Sequence, residues 1–384
     1  MRNITVVTGT RAEYGVLKNT MRAIDNDDFL NLQVIVTGTH LSDKHGYTIN
    51  EIIEDGFSVD AKIPIILDYK GKNKNSIELG KAIEGFAVEF ERLNTDILLI
   101  LGDRYEILGA ASAAMVMNIP IAHISGGEIT EGAMDEQIRH SITKMAHLHF
   151  PGAKEYAENI RKMGEESWRI FNVGDPGIEN IKLTKMLSKE ELNNDLGVEV
   201  DEDTLLITYH PVTLEIDKVE EQINNLINAL ARINRKKIIT YPNSDNGGEI
   251  IINKLNYYAK NNEDVFLYKN LGSLRYLSVM NLCGAVIGNS SSALIEAPYL
   301  KKAVVNIGNR QKGRLMAGNI ITCSNSEKDI VNAINTALSS EFKENIKNIV
   351  SLYGEGNTSK EIVRILKEIE IDEKLLKKVL KWEV

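Results

Sequence analysis

The feature that most narrows the fold is a rhythm. A short, almost unbroken Val/Ile/Leu run is followed by a polar, Gly-containing loop and then a helical stretch, again and again along the chain. The runs fall at Ile4–Val7, Leu32–Val36, Ile97–Leu101 and Ile119–Ile124, with weaker ones at Leu148–Phe150 and Arg169–Val173. A second series follows at Leu205–Tyr209, Lys237–Tyr241, Val265–Tyr268, Ala285–Ile287 and Ala303–Ile307. A strand that is apolar on successive residues is buried on both faces, as in a parallel sheet covered by helices. Helical segments between such strands make right-handed βαβ crossovers. The expected architecture is α/β, with two doubly wound, Rossmann-like parallel-sheet domains. Gly174-Asp175-Pro176-Gly177 breaks the pattern, so the first domain is placed at 1–175 and the second at 176–359. An amphipathic helical tail is expected from about Lys360 to Trp382, able to pack on either half.

Composition removes whole classes of function. The chain of 384 residues is long enough for two domains with a core each. Its 45 basic and 54 acidic side chains give a net charge of −9, which argues against a general nucleic-acid binder or a polybasic membrane binder. No apolar run approaches the ~20 residues of a membrane helix. The opening MRNITVVTGTRAEYG reads as a strand entering a loop, without the apolar core of a signal peptide. Cys283 and Cys323 lie far apart and form no CxxC pair, so neither a disulfide scaffold nor a cysteine zinc site is expected. The expected location is cytoplasmic.

The chemistry-bearing residues follow the strands. In the first half these are Gly9-Thr10-Arg11, Thr37-Gly38-Thr39-His40, Gly102-Asp103-Arg104 and Ser125-Gly126-Gly127-Glu128. In the second half they are His210-Pro211, Pro242-Asn243-Ser244-Asp245, Gly288-Asn289-Ser290-Ser291-Ser292 and Gly308-Asn309-Arg310-Gln311. Open α/β sheets bind ligands beyond the carboxyl ends of their strands. Two halves facing each other would gather all of these around one cleft.

Each group has two readings. Gly288–Ser292 entering a helix offers backbone N–H groups and a positive dipole end to a phosphate, or it is a plain Ser N-cap. Glu296, about a turn further on, can accept both hydroxyls of a ribose. Arg310, with Arg314 close behind, favours the phosphate reading, because a diphosphate needs cations. GxxxxGK[ST] and GxGxxG are both missing, which leaves a P-loop or a standard dinucleotide site poorly supported. Arg11 either meets an anion or is a solvated surface cation. His210 either donates to a phosphate or sugar hydroxyl or anchors its loop. Asp103, Glu128, Asp135 and Glu136 converge near two strand ends and a helix start, where carboxylates in different environments divide acid and base roles. Otherwise Asp103 is a partner for Arg104 or Arg11, and Asp135 and Glu136 pair with Arg139 and His140 along a helix. Gly126-Gly127 permits a substrate to approach the backbone beside Glu128. The spacing of His140, His147 and His149 lacks the i,i+4 geometry of a zinc site, so unbound histidines are expected.

Taken together, GTRAEYG at Gly9, TGTHLSDKHGYT at Thr37, GDRYE at Gly102, HISGGEITEGAMDEQIRHSITKMAH at His123, HPVT at His210, GNSSSALIEA at Gly288 and GNRQKGR at Gly308 make the sequence resemble the UDP-N-acetylglucosamine 2-epimerase family. The stretch after Glu128 is most similar to the hydrolysing branch, which feeds sialic and related nonulosonic acids. The resemblance implies a fold like the B-type glycosyltransferases (GT-B), an active site between the domains, and a C-terminal helix, 360–384, that joins the first domain. It implies UDP contacts at Arg11, His210, Ser290, Ser291, Glu296 and Arg310. It also implies an acid/base set of Asp103, Glu128 and Asp135, with Glu136 the rival at the third position. The partners implied are a UDP-sugar substrate and a second or further copies of the chain, as homodimer or homotetramer.

The expected reaction is conversion of UDP-N-acetylglucosamine and water to N-acetylmannosamine and UDP. Elimination of UDP would leave a glycal, which water then hydrates. The scheme calls for no redox cofactor and no metal. Rival expectations are a hydrolysing enzyme for UDP-2,4-diacetamido-2,4,6-trideoxyhexose (the legionaminic acid route), a non-hydrolysing epimerase returning UDP-N-acetylmannosamine, a glycosyltransferase and a non-catalytic UDP-sugar sensor.

Overall fold

The computed structural model describes residues 1–68, 71, 73–130, 134–243 and 247–381. Ser244, Asp245 and Trp382, singled out above, lie outside the described residues. The chain forms two compact units: Met1–Asn180 with Tyr353–Val384, and Ile181–Leu352.

Unit 1 is built on β1 (Arg2–Thr8), β2 (Leu30–Thr37), β3 (Ala61–Ile63), β4 (Ile97–Leu101), β5 (Ile121–Ile124) and β6 (Leu148–Phe150). All pair in parallel, in the order β3-β2-β1-β4-β5-β6. Alternation along each strand explains the unbroken apolar runs. Ile4, Val6, Val34, Val36, Ile97 and Leu99 enter one core; Val7, Ile35, Leu98 and Ile100 enter the other. The helix Arg11–Asp25 covers the first face with Leu17 and Met21, alongside Ile362, Ile365 and Leu366 from the far end of the chain. The helices Lys74–Leu93, Tyr105–Val116 and Met134–Met145 cover the second. Burying each such aliphatic side chain contributes about 1.5–3 kcal/mol.

Unit 2 repeats the plan with β7 (Thr204–Thr208), β8 (Lys236–Thr240), β9 (Val265–Tyr268), β10 (Ala285–Gly288), β11 (Ala303–Ile307) and β12 (Ile320–Cys323). Its order, β12-β11-β10-β7-β8-β9, is the same doubly wound order counted from the opposite edge. Leu205 and Ile207 face one core and Leu206 the other. The strand order reverses between β1 and β4 in unit 1 and between β7 and β10 in unit 2. These are the switch points where doubly wound sheets bind ligands.

Three local expectations need correction. The short edge strands β3 and β12 lie outside the apolar runs read from the sequence. The run Arg169–Val173 is not a strand: it joins the sheet by a single bridge, His149 to Ile170. Arg169 is fully buried, and its guanidinium donates to the carbonyls of His147 (3.3 Å), Leu375 (2.8 Å), Lys374 (2.9 Å) and Lys377 (3.1 Å), so this segment clamps the C-terminal stretch. The tail is not one helix. Thr358–Glu368 ends at Ile369, and Asp372 starts a second short helix, Glu373–Leu376, by accepting from the Leu375 N–H at 2.9 Å. Among the described residues, no helix is long and apolar enough to cross a membrane.

Candidate active site

In unit 1 the strand-end carboxylates are organised by a residue that the sequence reading treated only as a helix neighbour. Arg139, on the helix Met134–Met145, is 3% exposed. Its guanidinium donates to the Asp103 carboxylate, to the Glu128 carbonyl (3.1 Å), to the Glu136 carboxylate (3.2 Å) and to the Thr130 hydroxyl (3.3 Å). Asp103 is therefore paired with Arg139 and not with Arg104 or Arg11. Arg104 turns instead to the buried Glu106 (2.5 Å), and Arg11 to Glu51 (2.9 Å) on the exposed surface.

Asp135 and Glu136 have different surroundings. Glu136 accepts from the Thr130 N–H at 2.5 Å and sits 3.0 Å from the His140 imidazole. Burial works to raise its pKa, but the Thr130 N–H, His140 and Arg139 outweigh it and hold the carboxyl below the ordinary range. Asp135 has no hydrogen-bond partner among the described residues. Desolvation first, then the negative charge of Asp103, push its pKa above the ordinary range, against Arg139 and Arg104. The two neighbouring carboxyls are thus shifted in opposite directions, Asp135 toward its protonated form and Glu136 toward its ionised form.

The loop that carries Glu128 is held from beneath. The buried His123 ring donates from Nε2 to the Gly102 carbonyl (2.8 Å), fixing the chain next to Asp103; burial depresses its pKa to about 3, so it stays neutral. Gly127 adopts φ 77°, and a Cβ there would lie 2.4 Å from the Tyr156 carbonyl oxygen. Its carbonyl accepts from Asn159 at 2.9 Å. The glycine is thus required by packing within the protein, where the sequence suggested room for a substrate. At the first loop, Thr10 caps the helix Arg11–Asp25, and Glu13 reaches back to the Gly9 N–H at 3.0 Å. His140, His147 and His149 go to separate partners, Glu136, the Ile121 N–H and Glu165. Among the described residues no cluster suited to a metal ion forms.

In unit 2 the hub is Asn289, 1% exposed, directly after β10. Its side chain accepts from the His210 N–H (2.7 Å) and donates to the His210 carbonyl (2.9 Å); its own carbonyl accepts from Arg310 (3.1 Å) and Gln311 (2.8 Å). One residue therefore joins the ends of β7, β10 and β11, by its side-chain amide on one side and its main-chain carbonyl on the other. His210 Nδ1 accepts from the Asn243 N–H at 3.0 Å, which leaves the neutral ring's proton on Nε2 as a donor. Gly288 has φ 137°, and a Cβ would fall 1.9 Å from the Thr208 carbonyl oxygen, so β7 and β10 close up here only around glycine. Ser290 holds the N-cap position of the helix Ser291–Tyr299, yet its side chain makes no cap bond. That counts against the plain-cap reading, since the first N–H groups of this helix receive no side-chain cap from Ser290. Ser292 donates to Glu296 and fixes its carboxylate.

Sequence reasoning missed Arg139 and Asn289 as hubs. The only available signal was their place, one inside the motif after Glu128 and the other between Gly288 and Ser290.

The profile of the UDP-N-acetylglucosamine 2-epimerase family matches residues 22–367. The chain is 42% identical over 347 residues, 90% of its length and 89% of the relative's, to a Campylobacter jejuni protein named GDP/UDP-N,N'-diacetylbacillosamine 2-epimerase (hydrolyzing). It is 35% identical over 378 residues, 98% and 99% of the two chains, to a Legionella pneumophila UDP-N,N'-diacetylbacillosamine 2-epimerase (hydrolyzing). Its fold is similar to that of the Neisseria meningitidis UDP-GlcNAc 2-epimerase solved with UDP-GlcNAc, with a TM-score of 0.81, 19% identity, and 95% of this chain and 99% of that one covered.

Proposed function

Because this chain belongs to the UDP-N-acetylglucosamine 2-epimerase family, we propose that it is a hydrolysing 2-epimerase of a UDP-linked 2-acetamido sugar, acting first on UDP-2,4-diacetamido-2,4,6-trideoxyhexose. The observation that carries this reading is the near-full-length likeness to two relatives named for the hydrolysing reaction on diacetylbacillosamine. The sequence alone ranks UDP-N-acetylglucosamine ahead; the relatives' names reverse that order and make it the second substrate to try.

The chemistry follows from the acidity of the sugar. The hydrogen on C2 is removable only as the C1–O bond to UDP breaks and positive charge builds on the ring. A carboxylate of the Asp103, Glu128, Asp135 set takes that proton, the C1–O electron pair leaves with UDP, and the C1–C2 double bond of a glycal forms. Water then adds at C1 while an acid returns a proton to the opposite face of C2. The free 2-epimeric sugar and UDP are the products. Asp135 is assigned the proton exchange and Glu136 the bracing of the loop. Arg310, His210, Ser290 and Ser291 stabilise the leaving diphosphate, and Glu296 takes the ribose hydroxyls. Arg11 adds a cation, since an exposed pair such as Arg11–Glu51 is worth only ~0–1 kcal/mol and exchanges readily for an anion.

Proton NMR in D₂O tests the reading, with each of the two UDP-sugars and no acceptor. Free UDP with the 2-epimeric sugar deuterated at C2 is the expected result, faster from the diacetamido substrate. Deuterated UDP-linked epimer without free UDP would overturn hydrolysis, and an unchanged spectrum with both sugars would overturn the epimerase reading.

A further inference from the structure

A buried arginine is costly unless its N–H groups find acceptors. Arg139 finds four, supplied by three elements: Asp103 after β4, the Glu128 carbonyl and Thr130 hydroxyl after β5, and Glu136 one turn back on its own helix. The guanidinium is a rigid planar fork, so these acceptors are fixed relative to one another as well as to Arg139. Glu136 is pinned a second time by the Thr130 N–H. Asp135, on the same helix, takes no part in this network.

We propose that Arg139 is a positioning residue for the reaction: it sets Asp103 and the Glu128 loop in register and engages Glu136, while Asp135 stays outside its network and exchanges protons with the sugar. The assignment rests on the acid/base reading of these carboxylates given above. The charged groups facing Asp135 come from every side of the site. Asp103 and Glu106 disfavour its ionised form, while Arg139 and Arg104 favour it. Arg139 itself acts on the neutral His123 on β5 and shares the Glu136 carboxylate with His140. Removing the cation while leaving Asp103 therefore raises the pH at which Asp135 ionises. Replacing it by another cation keeps that pH but loses the fork.

The test uses the full chain carrying Arg139→Lys or Arg139→Gln. It measures UDP affinity by calorimetry and kcat against pH with the two UDP-sugars. Both variants are expected to lose about 10²-fold in kcat, the scale of a misplaced reacting group. UDP affinity should stay within about twofold, because none of the four acceptors of the fork is among the residues assigned to UDP. The limb of the profile belonging to Asp135 should move to higher pH in Arg139→Gln and remain in place in Arg139→Lys. Near-wild-type kcat in either variant, or identical profiles in both, overturns the proposal. Lost UDP affinity also overturns it, by making Arg139 a nucleotide contact. Failure of both variants to fold makes Arg139 a structural cation and overturns it too. A wild-type protein inactive on both sugars would instead sink the epimerase reading, so the two failures are distinguishable.

Discussion

The two units share one strand order and carry polar residues after corresponding strands, yet those residues differ in charge. After the fourth strand, unit 1 has Gly102-Asp103 and unit 2 has Gly288-Asn289; after the fifth, unit 1 has Gly127-Glu128 and unit 2 has Gly308-Asn309-Arg310. Each set is tied together by one buried polar residue. In unit 1 that hub is a cation, Arg139, and it gathers carboxylates. In unit 2 it is a neutral amide, Asn289, which binds backbone on both sides and adds no charge. A charged hub sits among carboxylates, which fits the proton transfer proposed for unit 1. A neutral hub adds no charge beside Arg310 and His210, which fits the diphosphate contacts proposed for unit 2.

The comparison can be broken in order of expected effect. Asp103→Asn should lower turnover by ~10²–10⁴-fold while UDP titrates normally by calorimetry, because a general acid–base group on unit 1 contributes on that scale. A variant retaining more than about a tenth of the wild-type rate would remove Asp103 from the mechanism. Arg310→Ala should do the reverse, weakening UDP by roughly 10–100-fold, the equivalent of one or two charged hydrogen bonds. An unchanged UDP isotherm would contradict the anion-binding assignment of unit 2. Asn289→Asp sharpens the contrast by placing the unit 1 residue in the unit 2 position. The added charge repels diphosphate and loses the donor to His210, so UDP should bind about tenfold more weakly, a difference equilibrium dialysis resolves.

A further effect is on stability and belongs to unit 1 alone. Burial, with the charge of Glu106 adding to it and the Gly9 N–H opposing it, pushes the Glu13 pKa from 4.5 up to about 8. A folded-state value above the unfolded one favours the fold while the group is protonated. That contribution is complete below pH 4.5 and is lost as pH rises through about 8. Glu13→Gln should therefore gain in Tm relative to the wild type across this window. A constant difference in calorimetric Tm would show that Glu13 is not buried as a neutral acid.

Much of this was legible in the sequence because strands buried on both faces announce themselves as continuous apolar runs, and the loops after them carry glycines and charges in short blocks. What escaped was whatever depends on a distant partner. Arg139 looks like any basic residue on an amphipathic helix until Asp103, 36 positions earlier, is seen to face it. Asn289 looks like a loop residue until His210 closes on it from 79 positions away. Arg169 sits in an apolar-looking run, yet its buried side chain serves carbonyls more than 200 positions downstream. The edge strands escaped for a different reason. Ala61–Ile63 is three residues long with Lys62 exposed, and Ile320–Cys323 has Thr322 exposed, so neither presents an apolar run on both faces.

The chain leaves unit 1 at Asn180 and returns at Tyr353, which fixes an order of assembly. On the ribosome, every residue of unit 2 is made before the helix Thr358–Glu368 that completes the core over Leu17 and Met21. At ~5–20 residues per second, the first sheet waits about 10–40 s with that face covered by the helix Arg11–Asp25 alone. For that interval Leu17, Met21 and Ile24 are an apolar surface in need of protection, and unit 2, contiguous in sequence, is the part able to finish first.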